Sequence, residues 1–228
     1  MFPKRSAIID GILIEDKNLN NLYYTIGHGM GRASTLPFVF ELAKFIKPQI
    51  SVIIGTGDGV IPRLIREAQV SSGLEHSKVY LIDLGATMGA MPHLIHDVNS
   101  LFRKLYPEII VFKGHSVPDG IEFIKNEVKT IDLLWIDGDH SYEGSKKDFD
   151  NFSPLVKNNG LIFLHDTAPY GAGNPQPSWC GVDKTIEYIQ ECRSKEFELI
   201  NFTPTMELRL GTGLAIVKKK HMRKSTSF

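Results

Sequence analysis

Apolar residues are arranged along the chain in short unbroken runs that alternate with stretches of helical spacing. Five runs have strand length: Ile50-Ser51-Val52-Ile53-Ile54, Lys78-Val79-Tyr80-Leu81-Ile82-Asp83, residues 108–113, residues 131–136 and Leu161-Ile162-Phe163-Leu164. Residues 131–136 are nearly all apolar, as expected of a central strand covered on both faces. Leu36, Val39, Phe40, Ala43 and Ile46 predict a helix over residues 36–47, stopped by Pro48. Ile61, Leu64, Ile65 and Ala68 predict a second helix, and Leu94, Val98, Leu101, Phe102 and Leu105 a third over about 91–106. Pro118 is predicted in the first turn of a helix reaching Lys129. Residues 141–157 form the next, with Phe149, Phe152 and Val156 inward and Asn158-Asn159-Gly160 ending it. Val182, Ile186 and Ile189 mark a helix over 182–192, and residues 197–202 and 213–217 are two closing strands.

Strands that alternate with helices predict an α/β fold, Rossmann-like and doubly wound. Its sheet is mainly parallel, with right-handed connections and all strand tips at one edge. Residues 1–35 show weak periodicity and end in Gly27-His28-Gly29-Met30-Gly31-Arg32, an N-terminal arm that is either draped on the surface or a flap over the site. Residues 168–180 form a long loop with Pro169, Pro175 and Pro177, of a length that is usually functional in compact domains. Residues 218–228 are a basic, frayed tail, and no internal repeat divides the chain, so one domain over 1–228 is expected.

Composition narrows the function. The 228 residues are 42% hydrophobic and 23% charged, with 26 basic and 26 acidic side chains. That balance gives no basic field for nucleic acid and no acidic excess for disorder. Cys180 and Cys192 are too few for a disulfide scaffold and form no CxxC. No apolar run reaches the roughly 18 residues of a membrane span, and the first apolar stretch is interrupted too early for a signal peptide. A cytoplasmic protein is expected, and a homo-oligomer is left open.

Chemistry concentrates at the strand tips. The first strand opens into Gly55-Thr56-Gly57-Asp58-Gly59, where backbone can approach a nucleotide-like ligand at a helix N-terminus; the alternative is a tight strand-to-helix connection. Val60 stands where the dinucleotide fingerprint GxGxxG needs glycine, which weakens a pyrophosphate site. Asp83 is placed to accept from a ribose diol, or is a helix cap or solvated strand end. His115 and Ser116 face an adenine edge or cap a helix. His93 and His96 lie three apart with no third ligand in view and are expected to be solvated. The central strand ends in Asp137-Gly138-Asp139-His140 and the next in His165-Asp166-Thr167. A carboxylate that ends an apolar strand, as Asp137 does, needs a partner. A neutral imidazole with a pKa of about 6.5 suits proton abstraction near neutral pH, the role open to His140; its plainer alternative is hydrogen bonding at a helix start.

Together, Gly55 to Gly59, Asp83, Ile136-Asp137-Gly138-Asp139-His140-Ser141-Tyr142-Glu143 and Gly160-Leu161-Ile162-Phe163-Leu164-His165-Asp166-Thr167 resemble a class I S-adenosylmethionine-dependent methyltransferase. The branch is that of macrolide-sugar O-methyltransferases and cephalosporin-biosynthesis methyltransferase-like proteins, and the likeness runs over about residues 36–218. It implies a seven-stranded sheet closed by an antiparallel hairpin. S-adenosylmethionine would bind at Gly55, Thr56, Gly57, Asp58, Gly59, Asp83, His115, Ser116 and Asp137. It also implies a divalent cation such as Mg²⁺ at Asp137 and Asp166, and His140 as the base. His165 takes a metal position where some relatives carry a carboxylate, although Mg²⁺ prefers oxygen ligands. Ile53 stands where the class has an acid on the first strand. Asp139 would orient the loop. The expected function is O-methylation of a small hydroxylated molecule of sugar, polyketide or phenolic type. The alternatives are an NAD-dependent oxidoreductase and a cofactor-binding protein without catalysis.

Overall fold

A computed structural model describes residues 6–9, 12–15, 30–55, 59–85, 97–168, 180–202 and 213–221. They divide into two compact units, Met1–Ile124 and Lys125–Phe228.

In the first unit β1 (Ser6–Ile9) and β2 (Ile12–Glu15) form an antiparallel pair in which Ile9 faces Ile12. These strands are absent from the sequence expectation, although the intervening Asp10-Gly11 is a two-residue hairpin signal. Helix α1 (Met30–Ile46) begins earlier than its apolar spacing predicts, so the end of the glycine-rich stretch is helical. A lone glycine costs a helix about 1 kcal/mol, little against the packing of Val39, Phe40 and Ala43, which are buried. Residues 1–5, 10–11 and 16–29 of the predicted arm lie outside the described residues.

The strands β3 (Ile50–Ile54), β4 (Lys78–Asp83) and β5 (Ile109–Lys113) run parallel, Val52 beside Tyr80 and Tyr80 beside Ile110. Helix α2 (Val60–Ser71) connects the first two, with Leu64, Ile65 and Ala68 inward as predicted. Before β5 the structure differs from the expected long helix. Only α3 (Leu101–Leu105) is helical among the described residues, and Val98 is 70% exposed in the turn before it. Asp97 accepts from the Asn99 N–H at 2.9 Å and Ser100 caps α3 through the Arg103 N–H at 3.2 Å, so polar side chains break the apolar spacing. His93 and His96 lie outside the described residues. Pro118 also falls before its helix, within a wide turn, Ser116–Gly120, that precedes α4 (Ile121–Glu127). The residue preceding proline is pushed out of the helical region, and Val117 is extended at φ −132°.

The second unit begins with β6 (Ile131–Ile136), whose four last residues are all buried. It continues through α5 (Tyr142–Phe152), β7 (Val156–His165), α6 (Val182–Cys192), β8 (Phe197–Phe202) and β9 (Leu214–Lys219). The predicted helix over 141–157 is therefore too long. Pro154 lies in a tight turn after Phe152, and Val156 packs as a strand residue, 1% exposed. Asn158-Asn159-Gly160 lies inside β7 where its register with β6 shifts, Asn159 taking φ 62°. Lys218 and Lys219, expected in the tail, belong to β9. The Lys219 ammonium donates to the carbonyls of Ser153, Pro154 and Val156 at 3.1, 2.9 and 2.7 Å.

The larger sheet has seven strands in the order β5-β4-β3-β6-β7-β9-β8, mainly parallel, with β9 antiparallel to both β7 and β8. Among the described residues no helix is long and apolar enough to cross a membrane.

Candidate active site

The loop after β6 is built to hold His140. The Asp139 carboxylate accepts from the Ser141 N–H at 2.9 Å, and Ser141 caps α5 by accepting from the Gly144 N–H at 3.0 Å. A Cβ at position 144 would overlap the Asp139 side chain, so glycine is needed there. On the other side the Gly181 N–H donates to the His140 carbonyl at 2.8 Å. Gly181 lies so close to Tyr142 that a Cβ would stand 2.5 Å from its backbone nitrogen. The hydroxyls of Ser145 and Thr185, 2.7 Å apart and buried, tie α5 to α6 below this junction.

β7 delivers the other half of the cluster. His165 is its last residue, and Asp166 follows in the left-handed region at φ 57°. A non-glycine residue held there costs on the order of 1 kcal/mol or more and persists where its surroundings fix it. The Asp166 carboxylate meets His140 Nδ1 at 3.1 Å and His165 Nδ1 at 2.9 Å. Asp137 Oδ1 meets His140 Nε2 at 3.2 Å and His165 Nδ1 at 3.3 Å. Two carboxylates and two imidazoles thus close a ring of contacts. The His140 side chain is its most open member at 30% exposure, against 12% for His165. Beneath, the Trp135 ring stacks on His165 with centroids 5.9 Å apart and on Phe163 at 5.6 Å.

The ring of contacts biases its own protonation. Burial alone would raise the Asp137 carboxyl, but His165 and His140 hold it well below the usual carboxylate range. Burial would lower His165, yet the carboxylates of Asp137 and Asp166 push it up to about 10. His140 is also raised: burial opposes charge, but its hydrogen bond with Asp137 and the charges of Asp137 and Asp166 prevail. Ligand atoms of Asp137, His140 and Asp166 lie within 4.8 Å of one another, close enough to share a metal ion. Such an ion would compete with the protons on the rings.

Apart from Asp137, the cofactor candidates lie in the first unit. Gly55 and Gly59 flank the glycine turn in left-handed conformations at φ 71° and 73°, which favour residues without Cβ. The Gly55 N–H donates to Ile82 O at 2.8 Å, the Gly114 N–H to Asp83 O at 3.0 Å. Asp83 is 5% exposed at the end of β4, and its Oδ1 accepts from the Gly85 N–H at 2.7 Å. A carboxylate offers about four acceptor sites, so it can accept further donors. His115 is exposed and its side chain does not cap the turn that follows; Ser116 is half-buried at the start of that turn. Gly120 is pressed against His115 O and Ile82, where a Cβ would find 2.9 Å to each. α2 (Val60–Ser71) follows Gly59 without a side-chain cap, and the N–H groups of a first helical turn have no partner within the helix. Thr56, Gly57 and Asp58 lie outside the described residues. Sequence reasoning missed the supports, Gly144, Gly181 and Trp135; only the glycines at the two helix starts were a signal.

A family model described as a methyltransferase domain matches residues 52–167, just over half of the chain. No curated protein sequence matches. Among solved structures, an O-methyltransferase from Bacillus cereus in complex with SAH aligns with a TM-score of 0.67 at 16% identity, over 90% of this chain and 88% of its own. A putative caffeoyl-CoA O-methyltransferase from Staphylococcus aureus gives 0.63 at 16%, over 90% and 89%. The O-methyltransferase TomG of tomaymycin synthesis from Streptomyces achromogenes, in complex with SAM, gives 0.63 at 11%, over 83% and 81%. With the sheet order above and the domain match, the chain belongs to the methyltransferase-domain family and has its Rossmann-like fold.

Proposed function

We propose that the protein is an S-adenosylmethionine-dependent O-methyltransferase that modifies a hydroxyl of a small molecule of sugar, polyketide or phenolic type. The observation that carries this is the closed cluster of Asp137, His140, His165 and Asp166 at the ends of β6 and β7 in a chain of this family. Methyl transfer from a sulfonium to a hydroxyl is a displacement in which the acceptor oxygen must lose its proton as it attacks. His140 is the cluster's most exposed member and is held at its backbone from both sides, so it is the proposed base. A positioned base is worth about 10²- to 10⁴-fold. The base acts in its neutral form, and Asp137 and Asp166 stabilise the imidazolium that proton transfer creates.

The first unit supplies the cofactor contacts: the left-handed glycines Gly55 and Gly59, the uncapped start of α2, and the Asp83 carboxylate for a ribose diol. Thr56, Gly57, Asp58, His115, Ser116 and Asp137 complete the proposed set. The SAH and SAM in the similar structures support the choice of cofactor. Val60, in place of a third glycine, counts against a nicotinamide dinucleotide.

The second unit also fits a divalent cation, because it gathers two carboxylates and imidazole nitrogens at ligand spacing. Asp137, Asp166 and His165 would hold it. Bound there, it would lower the pKa of the acceptor hydroxyl and orient it, leaving His140 to take the proton.

Thermal unfolding tests the cofactor. S-adenosylmethionine at about 100 times its Kd adds about 2.7 kcal/mol, a rise of several degrees for a chain of this size. Stabilisation by NAD with none by S-adenosylmethionine overturns the proposal. Cofactor binding without transfer to any hydroxylated acceptor identifies a binding protein without catalysis.

A further inference from the structure

We propose that the cation of this site takes an imidazole nitrogen from His165, so that the protein selects ions accepting mixed nitrogen and oxygen ligands, such as Fe²⁺, Co²⁺ or Zn²⁺, over Mg²⁺. This rests on the cation proposed above and extends it to the ion's class.

His165 Nδ1 and Asp166 Oδ1 are both buried and 2.9 Å apart, yet neither has an aligned hydrogen bond. A short approach without an aligned hydrogen bond leaves each atom able to take a shared partner instead. Neighbouring ligands of a six-coordinate ion with bonds of about 2.1 Å stand about 3.0 Å apart. The 3.3 Å from His165 Nδ1 to Asp137 Oδ1 matches the same spacing. His140 also offers a ring nitrogen at ligand spacing from both carboxylates, but its Nε2 is already hydrogen-bonded to Asp137 and its side chain is more open, as suits a proton carrier.

The His165 ring is also fixed. Trp135 stacks on it with an interplanar angle of 28°, and its backbone pairs with Leu214 of β9. Turning the ring away would undo the stack and the contacts of its Nδ1 with both carboxylates. Among the described residues the cluster has two carboxylates, so a third protein ligand drawn from it is an imidazole. Mg²⁺ demands oxygen ligands in near-octahedral geometry, whereas imidazole suits the later divalent ions. Such ions bind most sites more tightly than Mg²⁺, so the test compares His165 variants rather than ions alone.

The full-length protein, stripped with chelator, is loaded with Mn²⁺ and read by pulsed electron paramagnetic resonance for coupling to ¹⁴N. Calorimetry gives Co²⁺ and Mg²⁺ affinities in parallel. The expected result is a nitrogen coupling that persists in His140→Ala and vanishes in His165→Asp. Co²⁺ affinity should fall at least about tenfold in His165→Asp while Mg²⁺ affinity rises. Should His165→Asp fail to fold by circular dichroism, His165→Asn serves, with the same loss of coupling expected. Bound Mn²⁺ without nitrogen coupling in the unaltered protein overturns the inference, as does coupling lost in His140→Ala and kept in the His165 variant. Failure of every divalent ion to bind overturns this inference and the proposed cation together, while S-adenosylmethionine binding by calorimetry reports separately on the methyltransferase assignment.

Discussion

The backbone N–H of Gly181 donates to the carbonyl of His140 at 2.8 Å, joining the start of α6 to the residue proposed as the base. A Cβ at 181 would stand 2.5 Å from the Tyr142 nitrogen, so Gly181→Ala must push the two segments apart. Overpacking of this kind costs about 1–3 kcal/mol. The expected outcome is a melting temperature lower by several degrees and a His140 ring whose pKa, followed by NMR, moves toward its ordinary value.

Lys219 gathers three carbonyls, those of Ser153, Pro154 and Val156, beside the turn that starts β7. Hydrogen bonds to a charged group contribute about 1.5–3 kcal/mol each when buried, and less here because the ammonium is partly exposed. Lys219→Met is expected to lower stability by about 1–3 kcal/mol, measured by urea unfolding. An unchanged midpoint would return Lys219 to the frayed tail.

Stability of the metal-free protein should depend on pH through the cluster. The raised pKa of His165, about 10 in the fold, means its contribution is complete below its unfolded value of about 6.5 and is lost as pH rises toward 10. The depressed pKa of Asp137 means its contribution is present above about 4 and is lost as pH falls through its folded value. Unfolding midpoints should therefore plateau between about pH 4 and 6.5 and decline on the alkaline side. His165→Asn should flatten the alkaline decline; a decline of the same slope in that variant would assign it elsewhere.

Asp83 ends β4 buried and accepts the Gly85 N–H. If it also accepts from a ribose diol, Asp83→Ala weakens S-adenosylmethionine binding at least about tenfold, with hydrogen bonds to a charged acceptor contributing about 1.5–3 kcal/mol. Titration calorimetry checks it, and equal affinity would remove Asp83 from the cofactor site.

Most of the architecture was legible because buried parallel strands are written as local apolar runs: β3, β4 and β6 begin and end where those runs do. The errors lie where local polar chemistry or sheet pairing overrides spacing. Ser100 and Asp97 cut the predicted helix before β5, and Val156 has helical spacing but pairs in β7. The candidate site residues were legible as strand tips because a carboxylate or histidine interrupts an apolar run there. Their mutual contacts were not. That both nitrogens of His140 face carboxylates, and that His165 lies on Trp135, depends on the pairing of β6 with β7, where Trp135 stands beside Phe163.

The most direct measurement follows a labelled methyl group from S-adenosylmethionine into hydroxylated small molecules, with the product oxygen identified by mass spectrometry, for the unaltered protein and His140→Ala. The expected result is O-methylation by the former and a rate lower by about 10²- to 10⁴-fold in the variant, with S-adenosylmethionine affinity retained. Transfer at the same rate by His140→Ala, or cofactor binding with no transfer by the unaltered protein, would contradict the proposed chemistry.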